Sequence, residues 1–163
     1  MKGIEVKRLT DKEDIFKLLM EIEPLLSDSF RDDNRDLLQY AEKLSQNAHI
    51  YMAERNGTWL AVIGGYINNK ELGSFVSFWV TNPNENGIVA AIAGGEVIIS
   101  FVEEAKARGL GKTTIEVNVN NIHARQIYEK IGFTIVEKRE KSYIMQINDS
   151  YEEYLRLTNF DKR

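Results

Sequence analysis

The sequence predicts a mixed α/β fold in which a central, mostly antiparallel twisted sheet is flanked by helices. Three observations predict it. Apolar residues recur at helical spacing in two early stretches: Ile15, Leu18, Leu19 and Ile22, then Leu37, Leu38, Ala41 and Leu44. Strand-like runs from His49 to Glu54 and from Thr58 to Ile67 flank Asn56-Gly57, a strong signal for a tight hairpin. Strands then alternate with helices through the second half of the chain. The expected order is strand, two helices, three antiparallel strands, helix, strand, helix, strand.

Ile4 to Leu9 reads as the first strand, with Ile4, Val6 and Arg8 on one face. Thr10-Asp11-Lys12-Glu13 has the form of a capping box and opens the first helix. Pro24 interrupts that helix, because it lacks an amide donor. Ser27 to Asn34 is polar, and a second helix is expected from about Arg35 to Gln46. Asn68-Asn69-Lys70 turns the chain into a third, aromatic strand, Leu72 to Thr81, with Phe75, Phe78 and Trp79. Pro83 to Gly87 is a loop. Glu96 to Arg108 is a helix with Val97, Ile98, Phe101, Val102 and Ala105 inward, ended by Gly109. Its Glu103-Glu104 pair reads as a solvated face. Thr134 to Ile147 is a long final strand whose charged middle, Glu137 to Lys141, is either a hairpin bend or an exposed segment. No repeat or low-complexity linker divides the 163 residues, so one domain spanning 1–163 is expected.

Composition narrows the function. The chain has no cysteine, which excludes disulfides, thiolate metal sites and cysteine nucleophiles. Two histidines, His49 and His123, are too few for a histidine-rich metal site, so no metal is expected. A net charge of -4 gives no support to a nucleic-acid partner and leans towards a cationic substrate. Met1 to Leu9 is charged and short, unlike a signal peptide, and no apolar run reaches membrane-spanning length. A cytoplasmic protein with no membrane partner is therefore expected. Gly109-Leu110-Gly111-Lys112-Thr113 looks like the end of a phosphate-binding loop. Lys106 stands where that motif needs its first glycine, and the stretch follows a helix and opens a strand, so the motif is rejected.

The chemistry-bearing stretch is Val117 to Phe133. Thr113 to Val119 alternates as a strand, and Asn120-Asn121 breaks it and offers a cap. Ala124, Ile127, Tyr128 and Ile131 then share one helix face, and Gly132 suits a left-handed stop. This arrangement resembles the C-terminal core of the GNAT N-acetyltransferase superfamily, which repeats Asn-x-x-Ala-x-x-(Leu/Ile)-Tyr-x-x-x-Gly-Phe after a hydrophobic strand. Asn121, Ala124, Ile127, Tyr128, Gly132 and Phe133 match it position by position. The element order from Ile4 to Ile147 is also that of the family's fold.

The resemblance implies transfer of acetyl from acetyl-coenzyme A to an amine of a small molecule or a protein. It implies that the backbone of Phe78, Trp79 and Val80 meets the pantetheine and thioester. It implies that Asn121 and Ala124 lie along the arm, and that Tyr128 lies near the sulfur as candidate acid. On spacing alone, Tyr128 reads equally as a half-buried core aromatic, and Asn121 as a helix cap. Glu116 is the candidate base, although an exposed strand glutamate is the alternative reading. The family's phosphate loop, Arg/Gln-x-x-Gly-x-Gly/Ala, fits in neither register: Asn84-x-x-Gly87-x-Val89 or Val89-x-x-Ile92-x-Gly94. The second keeps Gly94 and Gly95 out of a helix interior, where each costs about 1 kcal/mol relative to alanine. It makes the amides of Ala93, Gly94 and Gly95 the expected pyrophosphate contacts. The alternative is one longer helix, with the glycines at a packing contact.

Two expectations concern the chain's remaining segments. The resemblance implies that Leu25 to Arg35, with Asp28, Asp32 and Asp33, lines the acceptor side. A tail helix at about 149–160, opened by Ser150 and Glu153, places Tyr151, Tyr154, Leu155 and Leu157 for packing on the sheet or on a second subunit, so a homodimer is a candidate state. The rival reading from another class is a non-catalytic domain of the same fold that binds coenzyme A or a protein partner.

Overall fold

The computed structural model describes residues 3–26, 36–69 and 73–147. Its elements are β1 (Glu5–Leu9), α1 (Lys12–Ile22), a 3-10 turn (Glu23–Leu25), α2 (Leu37–Asn47), β2 (His49–Arg55), β3 (Thr58–Asn69), β4 (Gly73–Thr81), α3 (Gly87–Ala107), β5 (Thr113–Asn118), α4 (Ile122–Ile131), β6 (Thr134–Lys138) and β7 (Ser142–Ile147). All the strands join one sheet in the order β1-β2-β3-β4-β5-β7-β6. Among the described residues, β4 with β5 is the one parallel pair. The mixed α/β expectation, with helices flanking a mostly antiparallel sheet, holds.

Each face of the sheet has its own core. On one face Ile15, Leu19 and Ile22 of α1 and Leu44 of α2 pack against Ile50, Val62 and Phe78. On the other, Val97, Ile98 and Phe101 of α3 meet Ile63, Val76, Ile115 and Met145, with Ala124 and Tyr128 of α4 packed alongside. The hairpin forms at Asn56-Gly57, where both residues have positive φ (54° and 81°), as a type I′ turn requires. Leu38 and Ile127 depart from the expected inward faces and are 53% and 40% exposed. Each lies at the edge of its helix's apolar stripe.

Two local expectations are corrected, and one left open is decided. The cap of α1 is Asp11 rather than Thr10, its carboxylate accepting from the amides of Glu13 and Asp14; a charged acceptor there also suits the positive end of the helix dipole. The cap of α2 is Asp36. Of the two alternatives for Glu137 to Lys141, the hairpin bend holds: β7 returns beside β5, and β6 forms the sheet edge. The larger correction concerns α3, which begins at Gly87 rather than Glu96 and runs for 21 residues. Gly94 and Gly95 lie buried within it, where the helix crosses β4. A Cβ on Gly94 would come within 3.2 Å of Thr81 Cγ2, so a close helix–sheet contact occupies the place a side chain would take. The tail helix and Asp28, Asp32 and Asp33 lie outside the described residues.

Candidate active site

The site is made by a break in the sheet. β4 and β5 pair over Ser74↔Thr113, Phe75↔Thr114 and Val76↔Ile115, and there the ladder ends. The cause lies on the other side of β4. Gly64 faces Phe78 and Gly65 faces Val76, so Ser77 is an extra residue, a β-bulge. A bulge bends its strand and increases its twist. Beyond it β4 stays with β3, while Glu116 to Asn118 of β5 stay with β7. The two halves of the sheet therefore part after Val76 and Ile115. Gly64 is required here, because a Cβ would lie 2.3 Å from the ring of Phe78, which is 4% exposed.

Past the bulge, β4 leads into a tight turn and then α3. Asn82, 7% exposed, donates its side-chain amide to the Trp59 carbonyl at 2.8 Å and accepts from the Asn84 amide at 3.0 Å. Asn86 caps α3: its Oδ1 accepts from the amides of Ile88 at 2.9 Å and Val89 at 3.3 Å. Amides at this N-terminus are the ones suited to an anion. The space beside Gly87 is open, with no atom within 4 Å of a Cβ built there. Ala93, Gly94 and Gly95 are helix-interior residues, and their amides face along the helix axis into its hydrogen-bond ladder. The expectation that a helix opens at these amides is overturned: the helix opens at Gly87.

On the far side of the opening, Asn121 caps α4, its Oδ1 accepting from the Ala124 amide at 3.2 Å. The helix ends as expected at Gly132 (φ 124°), and the Phe133 amide bonds back to the Tyr128 carbonyl at 2.9 Å. Tyr128 thus sits on a short helix fixed at both ends. Its ring stacks on Trp79 of β4, with centroids 5.2 Å apart and planes 12° apart, and tilts against Phe133 at 6.0 Å. Burial pushes its phenol up to about 12. Val80 packs on the opposite face of the sheet, with the α1/α2 core.

Glu116 is exposed at the first β5 position after the last parallel rung. Its carboxylate accepts from Ser142 Oγ at 2.6 Å and pairs with Arg139 Nη1 at 3.4 Å. Trp79 and Tyr128 thus meet on the α3 side of the break, with Ala124 on the same helix and Asn121 capping it; Phe78 packs into the α1/α2 core on the other face, and Glu116 follows the last parallel rung on β5. Ala93 and Gly95 stay in the interior of α3.

The family model described as the acetyltransferase (GNAT) family matches residues 13–133. The chain belongs to that family. No curated protein sequence matches it. Among solved structures, the chain is similar to a PaiA N-acetyltransferase from Thermoplasma acidophilum in complex with coenzyme A, at 15% identity, covering 89% of this chain and 98% of that one, with a TM-score of 0.64. It is similar to yncA, a putative acetyltransferase from Salmonella typhimurium with acetyl-CoA, at 14% identity, 90% and 94% coverage and a TM-score of 0.66. It is also similar to the spermidine/spermine N-acetyltransferase SpeG from Vibrio cholerae, at 14% identity, 97% and 99% coverage and a TM-score of 0.69.

As a GNAT chain it carries site features that sequence reasoning missed. Ser77 as the bulge was hidden, because a bulge depends on pairing with a distant strand. Asn86 as a helix cap was visible: an asparagine directly before Gly87 and an apolar run is a start signal. Glu104, expected in solvent, is instead a hub. It accepts from Tyr51 Oη and from Arg8 Nη1 at 2.8 Å, and meets His49 and Arg108. Among the described residues, no cluster of three or more histidine, aspartate or glutamate side chains is placed to hold a metal. Among the same residues, no helix is long and apolar enough to cross a membrane.

Proposed function

We propose that this chain is an N-acetyltransferase that moves acetyl from acetyl-coenzyme A to a primary amine. The observation that carries this reading is the parting of β4 and β5 at the Ser77 bulge, with Tyr128 beside the opening and the α3 N-terminus at its outer end. In this reading the backbone of Phe78 to Val80 runs along the pantetheine arm. Asn121 and Ala124 border it from α4. The amides of Gly87, Ile88 and Val89 receive the pyrophosphate, once the Asn86 side chain yields them.

The chemistry is aminolysis: the amine nitrogen bonds to the carbonyl carbon, the carbon–sulfur bond breaks, and one proton passes from nitrogen to sulfur. A lysine-like amine is neutral in roughly one molecule in a few thousand at pH 7, so a nearby acceptor of its proton helps. Glu116 is the carboxylate at the opening; to serve, it must exchange its bonds to Ser142 and Arg139 for the substrate. Tyr128, with its phenol at about 12, keeps its proton across the neutral range. A thiol of about 8.5 is the stronger acid. Tyr128 therefore steadies the departing sulfur by donating a hydrogen bond, without giving up its proton outright. An open cavity of about 460 Å³, lined by Glu21, Leu25, Trp59 and Asn82 and by Pro83 and Asn84 of the turn before α3, is the acceptor site in this reading. A carboxylate beside an indole suits a cationic amine.

Two observations favour a second reading, in which the domain binds the coenzyme weakly and does not turn over. The α3 amides that would hold the pyrophosphate are already bonded to Asn86, and Asn84 stands where the family has Arg or Gln. One experiment separates the two: acetyl-coenzyme A with spermidine, a lysine-containing peptide or a peptide with a free N-terminal alanine, reading thiol release. Turnover of any of them supports the enzyme; coenzyme A binding in calorimetry with no turnover supports the second reading. In the first reading the protein works in the cytoplasm as a single domain. A homodimer with the tail in its interface is the assembly we propose, and light scattering on the full chain tests it.

A further inference from the structure

We infer that Trp79 is the positioning residue for Tyr128, anchored to α3 through the Gly94 carbonyl. The inference rests on the acetyl-transfer reading and deepens it. Its starting point is the glycine pair inside α3, which the pyrophosphate does not explain. A glycine in a helix interior costs about 1 kcal/mol against alanine, so a local gain is expected to offset it.

That gain is a contact with β4. The Trp79 indole donates Nε1–H to the Gly94 carbonyl at 3.2 Å. This carbonyl belongs to the helix interior, and reaching it requires close approach of the indole to the helix backbone. A Cβ on Gly94 would lie at ordinary contact distance from Nε1, 3.8 Å, and closer, at 3.2 Å, to Thr81 Cγ2, so the glycine relieves the Thr81 contact while the indole is anchored by the carbonyl. The anchored indole then presents its flat face to Tyr128, with centroids 5.2 Å apart and planes nearly parallel at 12°.

The geometry has one consequence for the site. Trp79 is on β4 and Tyr128 is on α4, which follows β5. The stack therefore spans the place where the two half-sheets part, and Gly94 ties it to α3. Three elements that share few backbone bonds at this end are joined through two rings. An off-centre stack of this kind contributes about 0.5–1.5 kcal/mol beyond its burial, enough to hold one phenol orientation over its alternatives.

Two variants and one coupling test separate positioning from plain packing. Trp79→Phe keeps a ring and loses the N–H anchor; Trp79→Leu loses both. With spermidine as the probe amine, Trp79→Leu is expected to lower kcat by about 5- to 100-fold, the range for a single hydrogen-bonding group at a good leaving group. KM for acetyl-coenzyme A should stay within about threefold, and Trp79→Phe should fall between. In a Tyr128→Phe background, Trp79→Leu should cost no more than about twofold, because the phenol it positions is gone. An equal loss in both backgrounds, or a loss carried by KM, overturns the inference. Aromatic NMR supplies an arm that needs no acceptor. Tyr128 ring resonances, identified by their absence in Tyr128→Phe, should lie upfield under the indole and move to ordinary tyrosine positions in folded Trp79→Leu. Resonances that do not move overturn the inference as well. A wild-type protein that transfers to none of the three probe amines sinks the acetyl-transfer reading, and the spectra still decide whether Trp79 sets Tyr128.

Discussion

Replacing Gly87 with aspartate should strengthen the fold and weaken the site. Gly87 is the first residue of α3, directly after its Asn86 cap, and a side chain there meets no atom within 4 Å. The substitution removes a glycine from a helix and places a carboxylate at the positive end of the dipole. Together these contribute about 0.5–1.5 kcal/mol, or a melting temperature about 1–5 °C higher for a chain of this size. For a pyrophosphate at the same amides the sign reverses. A like charge some 4–6 Å away, at a partly solvated surface, opposes binding by about 1–3 kcal/mol, which is about 5- to 150-fold in affinity. The assay is a thermal melt paired with calorimetric titration by coenzyme A. A more stable variant that binds coenzyme A as well as wild type would remove the pyrophosphate from the α3 N-terminus and refute the reasoning.

Three further outcomes are expected. Tyr128→Phe should lower kcat by up to about 100-fold with little change in coenzyme affinity, and the wild-type rate should show no inflection from this phenol below about pH 11; an unchanged kcat in the variant makes Tyr128 a packing residue. Burial holds His49 below its ordinary value against the pull of Glu104, and Arg8 and Arg108 push the same way. A folded pKa below the unfolded value of about 6.5 contributes stability above that pH, which is lost as pH falls through the folded value, so the melting temperature should drop between pH 7 and pH 5 and His49→Gln should flatten that slope; an identical slope in the variant rejects the assignment. Gly64→Ala forces the buried Phe78 ring to move and should cost about 1–3 kcal/mol in urea unfolding, whereas a cost near zero would mean that the bulge relaxes freely.

Local signals in the sequence were read correctly where the structure is local. The Asn56-Gly57 hairpin, the inward residues of α1 and the Asn121-to-Gly132 helix depend on side chains within one turn or one ladder of each other. The start of α3 is hard to read because its outward face is apolar as well: Ile88 and Ala91 are exposed in its first turns. Val89, Ala93, Val97 and Phe101 alternate with further apolar residues, so no polar stripe marks its beginning, and the glycine pair then looks like a boundary. The better signal was the Asn86 cap. Features set by distant pairing were not legible. The Ser77 bulge exists only against Gly64 and Gly65, β7 takes its place beside β5 only after β6 has turned, and the Glu104 hub draws on Arg8, His49 and Tyr51 from two other strands. The same limit applies to the candidate site: the motif marks Tyr128, but nothing local marks its stack on Trp79.

The central claim is that the coenzyme lies across the parted strands, with its pyrophosphate on the first turn of α3. An amide NMR titration of the full chain with coenzyme A tests it most directly. The account predicts that the amides of Gly87, Ile88 and Val89 and those of Phe78 to Val80 shift together and saturate at one affinity, while Gly94 and Gly95 move little. Large shifts at Ala93 to Gly95 with Gly87 to Val89 unmoved, or no saturable shift at the β4–β5 opening, would contradict it.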